Sequence, residues 1–301
     1  MRIAAVVVTY NRIDLLRKCI DCLRLNKPLD SIIVVDNGSS DGTPEWLSSQ
    51  TDLKVLRQGN VGGSGGFHTG IDFALKDEAD FVWCMDDDVF PRPNCLEELL
   101  KEASDKSIGI LAPRRLIEGK IYTNDFLRFD LSNPFSSLHS KKLRKMKVSE
   151  PTDIAGTAFE GPLIRREVVE KIGLPNKDLF IFCDDTDYCL RAKMAGFRIR
   201  YVPKALMDKH KFFSDDSWTE RNQKKKWKRY YQVRNYSYLN HHYANNLAAK
   251  YVRGLLTAGG YIITAILTFP FSKAWSIKDV KRLWRAYLDG INERLGIMNN
   301  L

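Results

Sequence analysis

Cysteine pairs are almost missing from this 301-residue chain, and so is any long N-terminal apolar run. Six cysteines are present, at positions 19, 22, 84, 95, 183 and 189, and only Cys19-Ile20-Asp21-Cys22 has metal or redox spacing. That stretch lies in an amphipathic pattern that reads as a helix, and no second Cys/His pair follows at zinc spacing. A zinc ribbon and a disulfide scaffold are thereby excluded, and the thiols are expected to be buried and reduced, as in a cytosolic protein. After Met1-Arg2 the apolar run covers only residues 3–8 before Thr9-Tyr10-Asn11-Arg12. A signal peptide needs a longer apolar core and a small-residue cleavage site, so a secreted chain is not expected. No internal repeat and no nucleic-acid-binding motif is evident.

What is present is the composition of a globular protein, with 44% hydrophobic and 28% charged residues, neither disordered nor collagen-like. The length suggests about two domains, able to bury roughly three-quarters of the unfolded surface without staples. Lys and Arg number 47 against 37 Asp and Glu, a formal charge of +10. That excess implies an anionic partner: phosphates, nucleic acid or an acidic membrane surface.

Strands alternate with helices over the first 113 residues. Residues 3–9 form a continuous β-branched run, as expected of a strand buried on both faces. Residues 31–36, 53–57, 81–85 and 108–112 read as further strands, with helices at 13–25, after the turn at Asp41-Gly42-Thr43, at 69–76 and at 94–103. This order predicts an α/β fold with a parallel, doubly wound sheet. From about 114 to 150 periodicity is lost, and the basic run 141–147 reads as a solvated loop. Elements return at 154–159, with helices at 166–172 and 185–195 and strands at 199–202 and 206–208. After 218 the pattern is helical: a basic opening at 224–229, an uncharged stretch at 254–272 and a closing helix at 277–296.

In an open parallel sheet, ligands bind beyond the carboxyl ends of the strands. Those ends read Thr9-Tyr10-Asn11-Arg12, Asp36-Asn37-Gly38-Ser39, Gly59-Asn60-Val61-Gly62-Gly63-Ser64-Gly65-Gly66 and Asp86-Asp87-Asp88. Taken singly, the second reads equally well as a turn and the third as a flexible loop. Three consecutive carboxylates repel one another and raise their own pKa values unless a cation lies between them. Such hard oxygen donors suit Mg²⁺ or Mn²⁺. The glycine segment lacks a following Gly-Lys-Ser/Thr, and His68 stands where a dinucleotide loop needs its third glycine, so neither phosphate-loop fingerprint fits. A sugar-1-phosphate nucleotidyltransferase needs its glycine-rich loop directly after the first strand, where Thr9-Tyr10-Asn11-Arg12 stands instead.

Val6-Val7-Val8-Thr9-Tyr10-Asn11-Arg12, Val34-Val35-Asp36-Asn37-Gly38-Ser39 and Met85-Asp86-Asp87-Asp88 together resemble the inverting nucleotide-sugar glycosyltransferases of family two. The segment Asn60-Val61-Gly62-Gly63-Ser64-Gly65-Gly66-Phe67 and the acidic stretch Phe182-Cys183-Asp184-Asp185-Thr186-Asp187 are similar to the galactofuranosyltransferases of that family. Tyr230-Tyr231-Gln232-Val233-Arg234-Asn235 resembles that group and the related bacterial rhamnosyltransferases. The resemblance, covering residues 3 to about 235, implies a GT-A fold: a Rossmann-like, mostly parallel sheet with a helical C-terminal extension. It implies a catalytic domain over 1–215, with a nucleotide-sugar half at 1–113 and an acceptor half at 150–215, followed by a helical region at 216–301.

Carried onto this chain, the family pattern implies that Thr9, Arg12, Asp36 and Asn60 hold the nucleoside, with Asp86 and Asp87 joining the nucleotide site. Asp86, Asp88 and His210 would bind Mn²⁺ (or Mg²⁺), the donor diphosphate being its other ligand. Asp185 would be the general base and Asp184 its companion, orienting the base or binding acceptor hydroxyls. Asp187 and Arg191 are spaced for an i, i+4 ion pair. His68, His139 and the pair His241-His242 read as structural. Some of these galactofuranosyltransferases line the acceptor site with tryptophans, whereas Gly156-Thr157-Ala158-Phe159-Glu160-Gly161 stands there in this chain.

The implied reaction is single-displacement transfer of galactofuranose from UDP-galactofuranose to a hydroxyl of a polysaccharide or lipid-linked glycan. A dTDP-sugar rhamnosyltransferase is the alternative within the class. A nucleic-acid or lipid-surface binder is the alternative outside it, although the basic residues gather at 141–147 and 221–234 rather than along a base-reading helix, so no nucleic-acid partner is expected. Residues 254–272 carry no charge but hold several glycines and threonines, with Pro270 near the end. Lys224 to Tyr231 precede them, and Lys273-Ala274-Trp275 follow. This pattern suits peripheral contact with an anionic leaflet, at the cytoplasmic face of the inner membrane; a buried helix, a homo-oligomer contact or a true span are the alternatives.

Overall fold

A computed structural model describes residues 1–122, 125–142, 148–212, 217–269 and 275–298. The basic residues 143–147, the expected domain boundary at 215, and Pro270, Ser272, Lys273 and Ala274 lie outside the described residues. The chain divides into two compact units. The first comprises Met1–Arg128, Lys141–Lys177 and Asp185–His210, and the second Phe129–Ser140, Asp178–Asp184 and Lys211–Leu301.

The first unit opens with β1 (Ile3–Thr9), α1 (Ile13–Arg24), β2 (Ser31–Asp36), α2 (Thr43–Ser48), β3 (Leu53–Arg57), α3 (Gly62–Lys76) and β4 (Phe81–Asp86). Strands β3-β2-β1-β4 lie side by side and parallel. Every residue of β1 is buried, as its unbroken apolar run requires, because helices cover both faces of a doubly wound sheet. Leu16, Cys19, Ile20 and Leu23 recur at helical spacing and form the buried stripe of α1 against this sheet. All six cysteines are free thiols; Cys19, Cys84, Cys95 and Cys189 are buried as expected, whereas Cys22 and Cys183 are only partly so.

Beyond β4 the pattern becomes mixed. β5 (Val89–Pro91), α4 (Cys95–Lys101), β6 (Ile108–Ile117), β7 (Lys120–Tyr122), β8 (Phe126–Phe129), β9 (His139–Lys142), β10 (Thr152–Ile154), β11 (Leu163–Arg165), α5 (Arg166–Ile172), α6 (Asp184–Met194) and β12 (Arg198–Lys209) follow. The sheet continues from β4 through β11, β6 and β12 to β10. β11 runs antiparallel to both neighbours, while β12 is parallel to β6. The sheet is thus mostly parallel, with antiparallel additions at β5, β7, β10 and β11.

Three sequence expectations are corrected. The stretch 114–150 is not aperiodic: β6 runs on to Ile117, and β7, β8 and β9 follow, strands too short for a period-2 signal to emerge. The two strands expected at 199–202 and 206–208 are one, β12, whose register slips between Val202 and Leu206 around Pro203. Proline cannot donate to the ladder, so it marks an irregularity rather than an end.

The third correction concerns α3, which begins at Gly62 rather than at 69 and takes the glycine cluster into its first turns. Glycine lowers helix propensity by about 1 kcal/mol per residue, which is why the sequence reads as a loop. Packing explains it: a Cβ at Gly66 would lie 2.4 Å from Val8 Cγ1, and one at Gly70 2.3 Å from Val6 Cγ1. Only a bare backbone lets α3 lie this close to β1.

The second unit is dominated by α7 (Trp218–Lys224), α8 (Lys228–Tyr243), α9 (Leu247–Thr268) and α10 (Ile277–Ile291). Helices α8, α9 and α10 pack around Tyr230, Tyr231, Ala258, Ala265, Trp275 and Leu283. Gly254 admits the Ser237 side chain of α8 at a place where a Cβ would stand 2.8 Å from its hydroxyl.

Candidate active site

The parallel register itself assembles the strand-end residues. Thr9 pairs with Asp36 across β1 and β2, Asp36 with Arg57 across β2 and β3, and Val8 with Asp86 across β1 and β4. Thr9, Asp36, Arg57 and Asp86 therefore share one edge of the sheet. The start of α3 joins them, since Asn37 Nδ2 donates to the Gly62 carbonyl at 3.0 Å. Asn60 Oδ1 accepts from the Gly62 amide at 3.0 Å, so Asn60 serves the helix N-terminus, where the aligned peptide dipoles favour negative charge.

Asp36 is fully buried. Its Oδ1 accepts from the Ser39 amide at 2.8 Å, while Oδ2 has no hydrogen-bond partner and lies 3.6 Å from Arg57 Nε. A buried acceptor left open in this way is costly without a ligand or water.

The aspartate triplet divides its work. Asp87 is buried and accepts from the Thr9 hydroxyl at 2.7 Å and from Arg12 Nη1 at 3.0 Å. Three residues assigned to the nucleotide are thus bonded to one another, with Asp87 at the centre. Asp88 Oδ1 accepts from Lys209 Nζ at 2.8 Å, and its Oδ2 stands 3.8 Å from Arg12 Nη1. Lys209 also reaches Glu160 Oε1 at 3.0 Å; Glu160 lies 3.4 Å from Arg115 Nε, and Arg115 bonds Asp125 at 2.7 Å. Burial pushes the Asp86 carboxyl well above the usual range, and the Asp88 charge adds to this against the opposing Lys209. Asp87 is raised by burial, with Arg12 and Thr9 pulling the other way. Burial works against charge on Lys209, yet Glu160, Asp88 and Asp86 together raise its pKa.

The mutual repulsion expected of the triplet is thus met by two side-chain cations, Arg12 and Lys209. The sequence reading missed Lys209, Glu160, Arg115 and Asp125, because ion pairs across a hundred residues leave no local pattern. The only signal was the position of Lys209 next to His210 at a strand end. Antiparallel pairing of β12 with β5 brings both into place, and the His210 amide donates to the Asp88 carbonyl at 2.9 Å.

Among the described residues, no three His, Cys, Asp or Glu side chains stand ready to hold a metal ion. Asp86, Asp88 and His210 are therefore not a preformed ligand set, and the Lys209 ammonium engages Asp88 directly. The donor chemistry nonetheless fits a hard divalent cation. The carboxylates are buried and crowded: burial first, and the neighbouring Asp88 charge second, disfavour ionised Asp86, and a bound cation would offset both.

Asp184 and Asp185 open α6. Asp184 is buried and Asp185 partly exposed, and Asp185 Oδ1 accepts from the Thr186 amide at 2.5 Å and its hydroxyl at 3.1 Å. The expected pair forms: Arg191 Nε donates to Asp187 at 2.9 Å. Just upstream, Phe180, Phe182 and Cys183 all have left-handed backbones, with φ of 64°, 67° and 67°, a conformation costing about 1–3 kcal/mol for each such residue. Asn235 holds this segment: its buried Nδ2 donates to the carbonyls of Leu179, Ile181 and Phe182 at 2.8–2.9 Å. Arg234 donates to the carbonyls of Asp178 and Leu179. The Tyr-Tyr-Gln-Val-Arg-Asn motif thus braces the backbone that leads into the acidic helix. Among the histidines read as structural, His68 meets the Pro175 carbonyl at 2.9 Å, and His241 and His242 both meet Glu293.

A mostly parallel sheet that gathers carboxylates at its strand ends, with an acidic helix beyond, is the GT-A glycosyltransferase architecture. A solved mannosyltransferase from Pyrobaculum calidifontis, in complex with GDP-mannose and Mn²⁺, shares this fold at 15% identity and a TM-score of 0.53, over 97% of this chain and 88% of that one. The chain belongs to glycosyl transferase family 2, whose profile matches residues 4–173. A galactofuranosyltransferase, GlfT1 of Mycolicibacterium smegmatis, is 31% identical over 205 residues, 64% of this chain and 66% of that one. The pre-mycofactocin glycosyltransferase of Mycobacterium tuberculosis is 27% identical over 210 residues, 68% of this chain but 42% of its own length. The chain thus spans just under two thirds of the galactofuranosyltransferase's length.

Proposed function

We propose that this protein transfers a galactofuranosyl group from a UDP-sugar to a hydroxyl of a polysaccharide or lipid-linked glycan, inverting the anomeric centre. The observation that carries this reading is the sheet edge where Thr9, Asp36 and Asp86 meet in register, with one buried oxygen of Asp36 unpartnered. That oxygen suits an N–H of a nucleobase. Arg12 and the N-terminus of α3 supply positive potential for a diphosphate. Asp86, Asp88 and His210 would hold Mn²⁺ or Mg²⁺, which when bound stabilises negative charge on a departing nucleoside diphosphate. Asp185, partly exposed at the start of α6, would take the acceptor proton as its oxygen attacks the anomeric carbon, while Asp184 orients it. One carboxylate base and no protein nucleophile give a single displacement, hence inversion. The similarity to GlfT1 supports galactofuranose as the sugar.

The test is a panel of nucleotide sugars with Mn²⁺, followed by nucleoside diphosphate release. UDP-galactofuranose should give the fastest release; a dTDP-sugar turning over faster would replace this donor, and no release from any sugar would overturn the enzymatic reading. Asp185→Asn should lower kcat by about 10²-fold or more while leaving UDP affinity unchanged, because a general base contributes on that scale. Asp88→Ala should weaken UDP binding with Mn²⁺ present and hardly change it in EDTA; equal losses in both would remove Asp88 from the metal site.

A further inference from the structure

The positive charge of this protein is not spread over it. Residues 211–301 hold 16 Lys and Arg against 6 Asp and Glu, whereas the first 210 residues hold 31 of each. The whole excess of +10 therefore lies in the C-terminal third.

The same region carries an uncovered apolar face. α9 is the one helix among the described residues long and apolar enough to cross a membrane, yet only 22% of its most apolar window is buried. Leu255, Leu256, Ile263, Ile266 and Leu267 are all exposed and fall within about a third of the helix circumference at 3.6 residues per turn. Its other side is committed. Gly254, Ala258 and Ala265 are buried, and buried Arg253 donates to the Asp130 carbonyl and to Asn240 Oδ1. On α10, Ile277, Trp284 and Leu288 are exposed, with exposed Lys278 and Lys281 beside them.

We propose that α9 and α10 form a docking face for an anionic lipid bilayer, lying in its interface with the apolar stripe immersed. An aromatic and apolar face rimmed by lysines is the signature of such helices. Charge complementarity selects this occupant, since a second copy meeting the face would oppose two regions of the same strong positive sign. A true span is disfavoured because α9 is packed beside α8, whose Arg234, Asn235, His241 and His242 would have to enter hydrocarbon with it.

Flotation of the full chain with phosphatidylcholine vesicles, with and without phosphatidylglycerol, tests this. Binding should rise with anionic lipid and fall with salt. Ile263→Glu with Leu267→Glu, at positions 59% and 67% exposed and so tolerant of charge in the fold, should cut vesicle binding tenfold or more while melting like the parent protein. Lys278→Gln with Lys281→Gln should weaken binding to anionic vesicles by about fivefold per charge removed and leave neutral vesicles unaffected. Absence of flotation at any lipid composition, or equal flotation of the glutamate variant, would overturn the proposal. A vesicle-free dimer that the glutamate variant abolishes would instead assign the face to a second copy.

Discussion

Asn235 donates from one side-chain amide to three main-chain carbonyls, and no other residue type could replace it at the same length. Aspartate lacks the donor hydrogens, and alanine leaves one buried and two partly buried carbonyl contacts without a donor beside three left-handed residues. Asn235→Ala should therefore cost about 2–4 kcal/mol of stability by urea unfolding, given about 1–3 kcal/mol for each buried polar group left unpaired. Asn235→Asp should cost as much, because a carboxylate only accepts. If bracing this backbone sets the acidic helix for catalysis, either variant should also lower kcat while UDP affinity holds; an equal fall in both would place its role in the donor site instead. Asp36, Asp86, Asp88 and Asp185, to which the proposed function gives the chemistry, were visible in the sequence because strand ends and acidic runs are local patterns. Asn235 was visible only as part of a motif: its partners are main-chain carbonyls, which no side-chain code records.

At the scale of elements, α3 shows where propensity and packing disagree. Five of its first nine residues are glycine, which hid seven residues of helix from a reading based on periodicity. The close approach of Gly66 to Val8 and of Gly70 to Val6 makes those positions intolerant of a side chain. Gly70→Ala should cost about 1–3 kcal/mol, as overpacked cores do, while Gly63→Ala, with nothing within 4 Å, should gain about 0.5–1 kcal/mol from reduced unfolded-state entropy. Thermal melts of the two variants should move in opposite directions. A common sign would mean that α3 tolerates displacement from β1. By contrast β1 and β2 have the bounds their sequence predicts, because strands buried on both faces have to be apolar throughout and end where polarity returns; β3, at the sheet edge and only partly buried, keeps its expected bounds as well. The short strands β7, β8, β9 and β11 offer only three or four residues each, too few for alternation to separate them from a loop.

For the molecule as a whole, the first 210 residues are formally neutral because their acids and bases are matched, and many are matched in space. Arg24 lowers the Asp52 pKa by hydrogen bonding, and Lys54, with Arg2, does the same for Asp77. Burial would raise Asp153, but Arg198 and Arg200 outweigh it and hold it low. Each is a carboxylate whose folded pKa lies below its unfolded value near about 4. The stability it contributes is therefore complete above that unfolded value and is lost as pH falls through the folded one. The contribution of these three carboxylates to the unfolding free energy should be nearly flat from about pH 6 to 8 and decline below about pH 4. Asp77 is the sharpest probe, since Lys54 Nζ at 2.5 Å and Arg2 Nη2 at 2.8 Å tie β3 and the N-terminus to the residue following α3. Asp77→Asn should cost no more than about 1 kcal/mol at pH 7, because these partners are solvent-screened, and progressively less as pH falls through the lowered folded pKa of the parent carboxyl. Urea unfolding at pH 7 and at a series of lower pH values checks this: a deficit that does not shrink as pH falls would mean that Asp77 acts through the shape of its hydrogen bonds and not through its charge.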